Sequence, residues 1–123
     1  VPIAPGPAEP VRWLGEAMLA VPSAGMSVRM DAVTGAGLKR AVLAAGEVTL
    51  GVRRGGEQLR LHAGGPHRSL KNLLQEHAIP PRQRDRLPLL WCNGQLLWAA
   101  GIGLDADALA AQDEPGILPR VVA

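Results

Sequence analysis

The sequence predicts an α+β domain of short, mostly antiparallel strands combined with short helices, and three observations lead there. Gly and Pro together supply 26 of the 123 residues, so elements must be short and turns frequent. Two dipeptides, Gly55-Gly56 and Asn93-Gly94, each separate two apolar-rich segments and suit two-residue hairpin turns. Leu70, Leu73, Leu74 and Ala78 recur at helical spacing. A chain of this length holds one domain with a modest core, and 47% apolar residues suffice to pack it. There is no Phe or Tyr, so Leu, Val and Ala must fill that core, with Trp13, Trp91 and Trp98 as the large anchors.

Residues 1–10 read as a linker or leader, because four prolines block regular structure. With no basic region followed by a long apolar run, they do not form a signal peptide. Trp13 to Val21 is ambiguous between strand and helix and stops at Pro22. Met26 to Val33 alternates as a strand, with Met26, Val28 and Met30 on one side. Gly35 and Gly46 bound a segment whose Leu38 to Leu43 stretch predicts a short helix. Glu47 to Arg54 and Glu57 to His62 alternate again, and the Gly55-Gly56 turn would set Val52 against Leu59, Leu50 against Leu61, and Arg54 against Glu57. That register sends Arg53, Arg60 and His62 to the opposite face.

After the loop at Gly64 to Pro66, Ser69 is placed to cap a helix, since its hydroxyl can accept from a free backbone N–H. Lys71, Asn72, Gln75 and Glu76 take the outer face of that helix. Pro80-Pro81 ends it, and a second helical turn can start at Pro81, where the missing N–H does no harm. LPLLWC and QLLWAA form a hairpin about Asn93-Gly94. Gly101 to Leu104 leave it, Asp105 to Ala111 read as a final helix, and residues 112–123 as a loose tail. The expected domain therefore runs over residues 11–111.

Net charge is only +2, yet it is unevenly spread. Between Arg53 and Arg86 stand eight basic and three acidic residues, an excess of five positive charges; the remainder has five basic and eight acidic residues. Such asymmetry marks a candidate polyanion-binding face. Eleven of the 13 basic residues are Arg, so placement says more than abundance. A single cysteine, Cys92, cannot form an intrachain disulfide and suits a reducing cytosol. No apolar run is long enough for a transmembrane helix.

Catalysis finds little support in the residues. His62, His67 and His77 lack metal-ligand spacing with Cys or acids. Cys92 in an apolar run reads as a small buried residue. There is no phosphate loop ending in GK[ST], no G-x-S-x-G elbow and no paired-carboxylate motif. Binding is the more informative reading. His67, Arg68, Ser69 and Lys71 surround a helix start, whose free N–H groups and dipole favour a phosphate. The same residues are equally accounted for as an ordinary capped helix with a solvated start. Arg82, Arg84 and Arg86 follow the double proline, with Asp85 able to neutralise one of them. Trp91 and Trp98, each in an apolar strand, are expected in the core rather than as base-stacking platforms.

RRGGEQLRL followed by HRSLKNLLQEHAIPPRQRDRLPLLWCNGQLLWAAGIGLDA resembles the C-terminal domain of bacterial tRNA(Ile)-lysidine synthetases, a family also known as a cell-cycle protein family. The shared pattern is an R-x-G-G-E turn, an S-L-K-x-L-x-Q-E helix, I-P-P, R-D-R-x-P-L-L and a closing G-[IL]-G-x-D, over Val52 to Ala106. The resemblance implies a small β-sandwich-like core with helices, related to a domain of phenylalanyl-tRNA synthetase. It implies a parent enzyme that uses ATP and magnesium to ligate lysine to the wobble cytidine of a minor isoleucine tRNA. That chemistry belongs to an N-terminal catalytic domain with an S-G-G-x-D-S loop, which has no counterpart in this chain. The chain itself is then a noncatalytic, cofactor-free domain that binds the acceptor-stem region of tRNA in the cytoplasm through Arg53, Arg60, His67, Arg68, Lys71, Arg82, Arg84 and Arg86. Its other partners would be the catalytic domain or a second copy of the chain, and the competing role is a packing module that orders the catalytic domain. Asn72 stands where the family often has a second lysine, which removes one phosphate contact; Arg82 stands where the family often has a tryptophan, which either removes a packing contact or adds a charge to the RNA face.

Overall fold

A computed structural model describes residues 10–122. In chain order the elements are β1 (Val11–Arg12), β2 (Met18–Val21), β3 (Met26–Thr34), β4 (Leu38–Lys39), α1 (Arg40–Ala45), β5 (Val48–Gly51), β6 (Gln58–Leu59), β7 (Arg68–Ser69), α2 (Leu70–Glu76), α3 (Pro81–Arg84), β8 (Leu89–Cys92), β9 (Gln95–Ala99), β10 (Gly103–Leu104) and β11 (Pro115–Val122). Every pairing among them is antiparallel. One sheet has the order β1-β5-β8-β9-β10, a second β2-β3-β11-β4, and β6 and β7 form a separate ribbon. The expected class of antiparallel strands with few helices is therefore the observed one. The leader assigned to residues 1–10 lies, but for Pro10, outside the described residues.

The five-stranded sheet packs against other elements on both faces. On one face Val48, Leu50, Leu90 and Cys92 meet Val28, Met30, Leu38 and Ile117 of the four-stranded sheet in a shared core. On the other, Leu89, Leu96 and Ala99 pack against Leu59 and against Leu70, Leu73 and Leu74 of α2. Fully burying one leucine contributes about 1.5–3 kcal/mol, so the α2 stripe anchors the ribbon and helix firmly to the sheet. An irregularity in the β8–β9 ladder makes room for both cores. Leu90 pairs with Trp98 and Trp91 with Leu96, which leaves Leu97 as an extra residue on β9. The bulge turns Leu97 and Trp98 to the same side, into the first core. The Asn93-Gly94 turn forms as expected, with φ of 52° and 81°, the left-handed pair that a two-residue hairpin requires.

Several expected elements take a different form. Gly55-Gly56 does not join a hairpin: β5 ends at Gly51 and pairs with β1 and β8, and β6 pairs with β7. The Glu57 carboxylate instead accepts the backbone N–H groups of Arg54 (2.7 Å) and Gly55 (3.0 Å), closing a local loop that sends the chain away from β5. The helix expected over Asp105 to Ala111 is a single 3-10 turn at Ala106–Ala108. Past it, Leu109 bridges Leu38 and the Ala110 N–H donates to the Gly37 carbonyl (2.9 Å), and these tertiary partners win over helix continuation. In place of a helix over Leu38 to Leu43, Leu38–Lys39 pair with β11 and the helix starts at Arg40. Ala78 falls beyond the end of α2 at φ 54° and is exposed.

The reading of residues 112–123 as a loose tail is corrected. β11 pairs with β3 over its full length, from Pro115 opposite Thr34 to Val122 opposite Ser27, and with β4 at Gly116 and Ile117. The domain therefore extends to Val122. Two prolines in PGILPRVV argue against a central strand, yet both are tolerated by position. Pro115 is the first residue of the strand, and Pro119 lies beyond the two residues that pair with β4, where β11 has only β3 beside it.

Ser69 caps α2 as expected, its Oγ accepting from the Asn72 N–H at 3.1 Å. Ser69→Ala should lower stability by about 1 kcal/mol. Urea denaturation checks this, as a lower midpoint at unchanged slope.

Candidate nucleic-acid interface

The structure divides the eight expected RNA-binding residues into two groups. Arg53, Arg60, Arg68 and Arg84 are half-buried and held by neighbours. The Arg53 guanidinium pairs with Asp85 through Nη2 (3.0 Å) and Nε (3.1 Å), tying the β5–β6 loop to the end of α3. Arg60 pairs with Asp107 at 3.1 Å, and its buried Nε has no partner among the described residues. Arg68 reaches along α2 to the Glu76 carboxylate, with Nη1 2.9 Å from Oε1 and Nη2 on Oε2. Arg84 donates from Nε to the Ile79 carbonyl at 2.8 Å, closing the turn around Pro80-Pro81. Exposed pairs of this kind contribute roughly 0–1 kcal/mol each, so their main effect is to fix where the charges sit.

His67, Lys71, Arg82 and Arg86 are exposed, and none forms an ion pair among the described residues. Arg82 and Arg86 flank a groove of about 540 Å³ floored by Ile79, Leu87, Met26 and Val121. Lys71 stands in the first turn of α2, which follows directly on β7. The start of that helix is largely satisfied from within: the Leu70 N–H donates to the Glu57 carbonyl (2.9 Å) and the Asn72 N–H to Ser69. The expected Arg54–Glu57 side-chain pair does not form, because the Glu57 carboxylate is taken up by backbone N–H groups; Arg54 is exposed.

Sequence reasoning passed over a second feature. Trp98 is buried at 6%, but Trp91 is only half-buried. Two adjoining clefts of about 270 and 250 Å³ share Trp91, Glu57 and Gly94 in their walls. One continues to His67, Gln95 and Asp105, the other to Arg54 and Thr49. Asp105 is 2% exposed and fully engaged: Oδ1 accepts the Asp107 N–H and Oδ2 accepts Gln95 Nε2, both at 3.0 Å. The signal was present in the alternation of LPLLWC, which puts Trp91 and Leu90 on opposite faces. What it lacked was the knowledge that the outer face is only partly covered by α2 and β6.

Cys92 is buried, and burial pushes its thiol pKa up, away from thiolate chemistry. Among the described residues no group of three or more His, Cys, Asp or Glu side chains is arranged to hold a metal ion. No helix among them is long and apolar enough to cross a membrane.

A profile of the family described as the TilS substrate C-terminal domain matches residues 48–122. A tRNA(Ile)-lysidine synthase of Nitrosomonas europaea is 38% identical over 114 residues, covering 93% of this chain and 25% of that protein. One from Azoarcus sp. strain BH72 is 42% identical over 110 residues, covering 89% and 24%. The chain thus spans about a quarter of the length of the curated relatives it matches. A crystal structure of a TILS C-terminal domain superposes with a TM-score of 0.69 at 23% identity, covering 94% of this chain and 98% of that one. At that identity the match speaks to the fold.

Proposed function

Because the chain belongs to the TilS substrate C-terminal domain family, found at the C-terminus of tRNA(Ile)-lysidine synthases, we propose that it is the noncatalytic tRNA-binding domain of such an enzyme and docks on the acceptor-stem region. The observation that carries this reading is that four of the eight expected residues, His67, Lys71, Arg82 and Arg86, are exposed and form no ion pair among the described residues. Phosphates and 2′-hydroxyls of an RNA duplex are recognised mainly through shape and backbone, which suits charges spread over a surface better than a deep pocket. Arg53, Arg60, Arg68 and Arg84 then act chiefly as a scaffold, and each must give up a contact to reach RNA directly.

On this reading the parent enzyme ligates lysine to the wobble cytidine in the cytoplasm, in the catalytic portion outside this chain. ATP and magnesium belong there too. The fold relation to a domain of phenylalanyl-tRNA synthetase belongs to the same reading, and superposition on that domain tests it.

Titrating the 123-residue chain with an acceptor-stem minihelix across a salt series tests the docking. Binding should weaken steadily with salt, with a logarithmic slope of about −2 to −4 for three or four phosphate contacts at roughly 0.7–0.9 per contact. Salt-independent binding, or none where the full-length enzyme binds, would overturn it. A packing role is favoured by one feature, the apolar floor between Arg82 and Arg86. It predicts that charge changes there disturb association with the catalytic portion and leave tRNA affinity alone.

A further inference from the structure

We propose that the cleft at Trp91 receives one unpaired nucleobase, stacked on the indole and read along its edge by Gln95. This rests on the RNA-binding reading and adds to it a single-stranded element and a base preference. The half-buried indole gives a flat apolar face within two adjoining clefts, whose combined size suits a fragment such as one base rather than a large ligand. Base-on-aromatic stacking is the usual way proteins hold unpaired nucleotides. At one end of the cleft stands exposed His67 and at the other exposed Arg54, so the phosphates flanking a stacked base would meet an imidazole and a guanidinium.

The edge preference follows from Asp105. Its buried carboxylate accepts hydrogen bonds and has none to give. Gln95 must therefore turn its Nε2 toward Asp105, as the 3.0 Å contact shows, which leaves Oε1 as the unspent acceptor in the wall of the cleft. Glu57 Oε1, which accepts only the Gly55 N–H, keeps a lone pair as a second acceptor. A wall of acceptors favours a base carrying an exocyclic amino group, adenine, cytosine or guanine, over uracil, which has none.

The test compares three RNA probes on the 123-residue chain: a blunt duplex, the same duplex with a single-stranded 3′ adenosine tail, and one with a uridine tail. The adenosine tail should raise affinity by about fivefold or more over the blunt duplex, the lower bound for one base on an aromatic platform, and should quench tryptophan emission. The uridine tail should gain less. Trp91→Phe should keep most of the gain, and Trp91→Leu should abolish it while blunt-duplex affinity stays unchanged. Because Trp91 also touches the second core, the exposed-loop variant Arg54→Ala gives an independent reading, a smaller tail gain at full stability. Equal binding of blunt and tailed duplexes by the unaltered chain would refute the cleft and leave duplex docking standing. Failure of all three probes to bind would refute both. Equal gains from the two tails would refute the acceptor-edge preference.

Discussion

Deleting Pro115–Val122 is expected to abolish the cooperative unfolding transition altogether. β11 sits between β3 and β4 and supplies the long partner of the nine-residue β3. Its loss would expose the buried Val28 and Met30, remove Ile117 from the first core and leave Leu38 without its strand neighbour. Removing Ile117 alone to alanine should cost about 2–5 kcal/mol, against a total stability of about 5–15 kcal/mol for a typical domain. The loss of the whole strand adds eight residues of ladder to that. Gly116 makes the fit exacting, since a Cβ there would overlap the Ala36 carbonyl oxygen; Gly116→Ala should destabilise by about 1–3 kcal/mol or more. Circular dichroism during a thermal ramp measures both. A truncated chain that melts cooperatively within a few degrees of the intact one would contradict the assigned topology.

The second large effect is on binding. Reversing Lys71, Arg82 and Arg86 to glutamate together should lower affinity for an acceptor-stem minihelix by about a hundredfold or more at low salt, at roughly 1 kcal/mol or more for each charge-assisted contact. The salt slope should flatten by about three units. Stability should hardly change, because all three side chains are exposed and none is ion-paired among the described residues. Arg53→Ala and Arg60→Ala should behave in the opposite way, with a modest loss of stability from the broken pairs to Asp85 and Asp107 and a smaller effect on binding. If the triple reversal leaves minihelix affinity intact and instead weakens association with the catalytic portion of the enzyme, the surface is a packing interface.

Local chemistry was legible wherever a few neighbouring residues decide the outcome. The Ser69 cap, the leucine stripe of α2, the start of α3 at Pro81 and the Asn93-Gly94 hairpin all appear where the sequence places them. The Gly55-Gly56 turn misled because the same dipeptide serves any left-handed corner, and Glu57, three residues on from Arg54, offered its carboxylate to the backbone first. Of the candidate binding residues, the sequence marked every one by its place in a basic segment. It could not say which were already spent. Asp85 neutralises Arg53 rather than a neighbouring arginine of its own segment, over a separation of 32 residues, and Glu76 takes Arg68 from the far end of α2.

By itself, then, the sequence determined the antiparallel class, the capped helix with its buried leucines, the hairpin about Asn93 and the family to which the chain belongs, since these rest on residue types at short spacings. The tertiary structure alone decided that residues 115–122 form a central strand, that Leu97 bulges to seat Trp98, that four of eight candidate residues are held in internal contacts, and that Trp91 lines an open cleft. The β11 pairing, the ion pairs of Arg53 and Arg60 and the cleft at Trp91 depend on partners tens of residues away, and pairing across such distances is settled by which faces are left to bury, a quantity that exists only once the sheets have met.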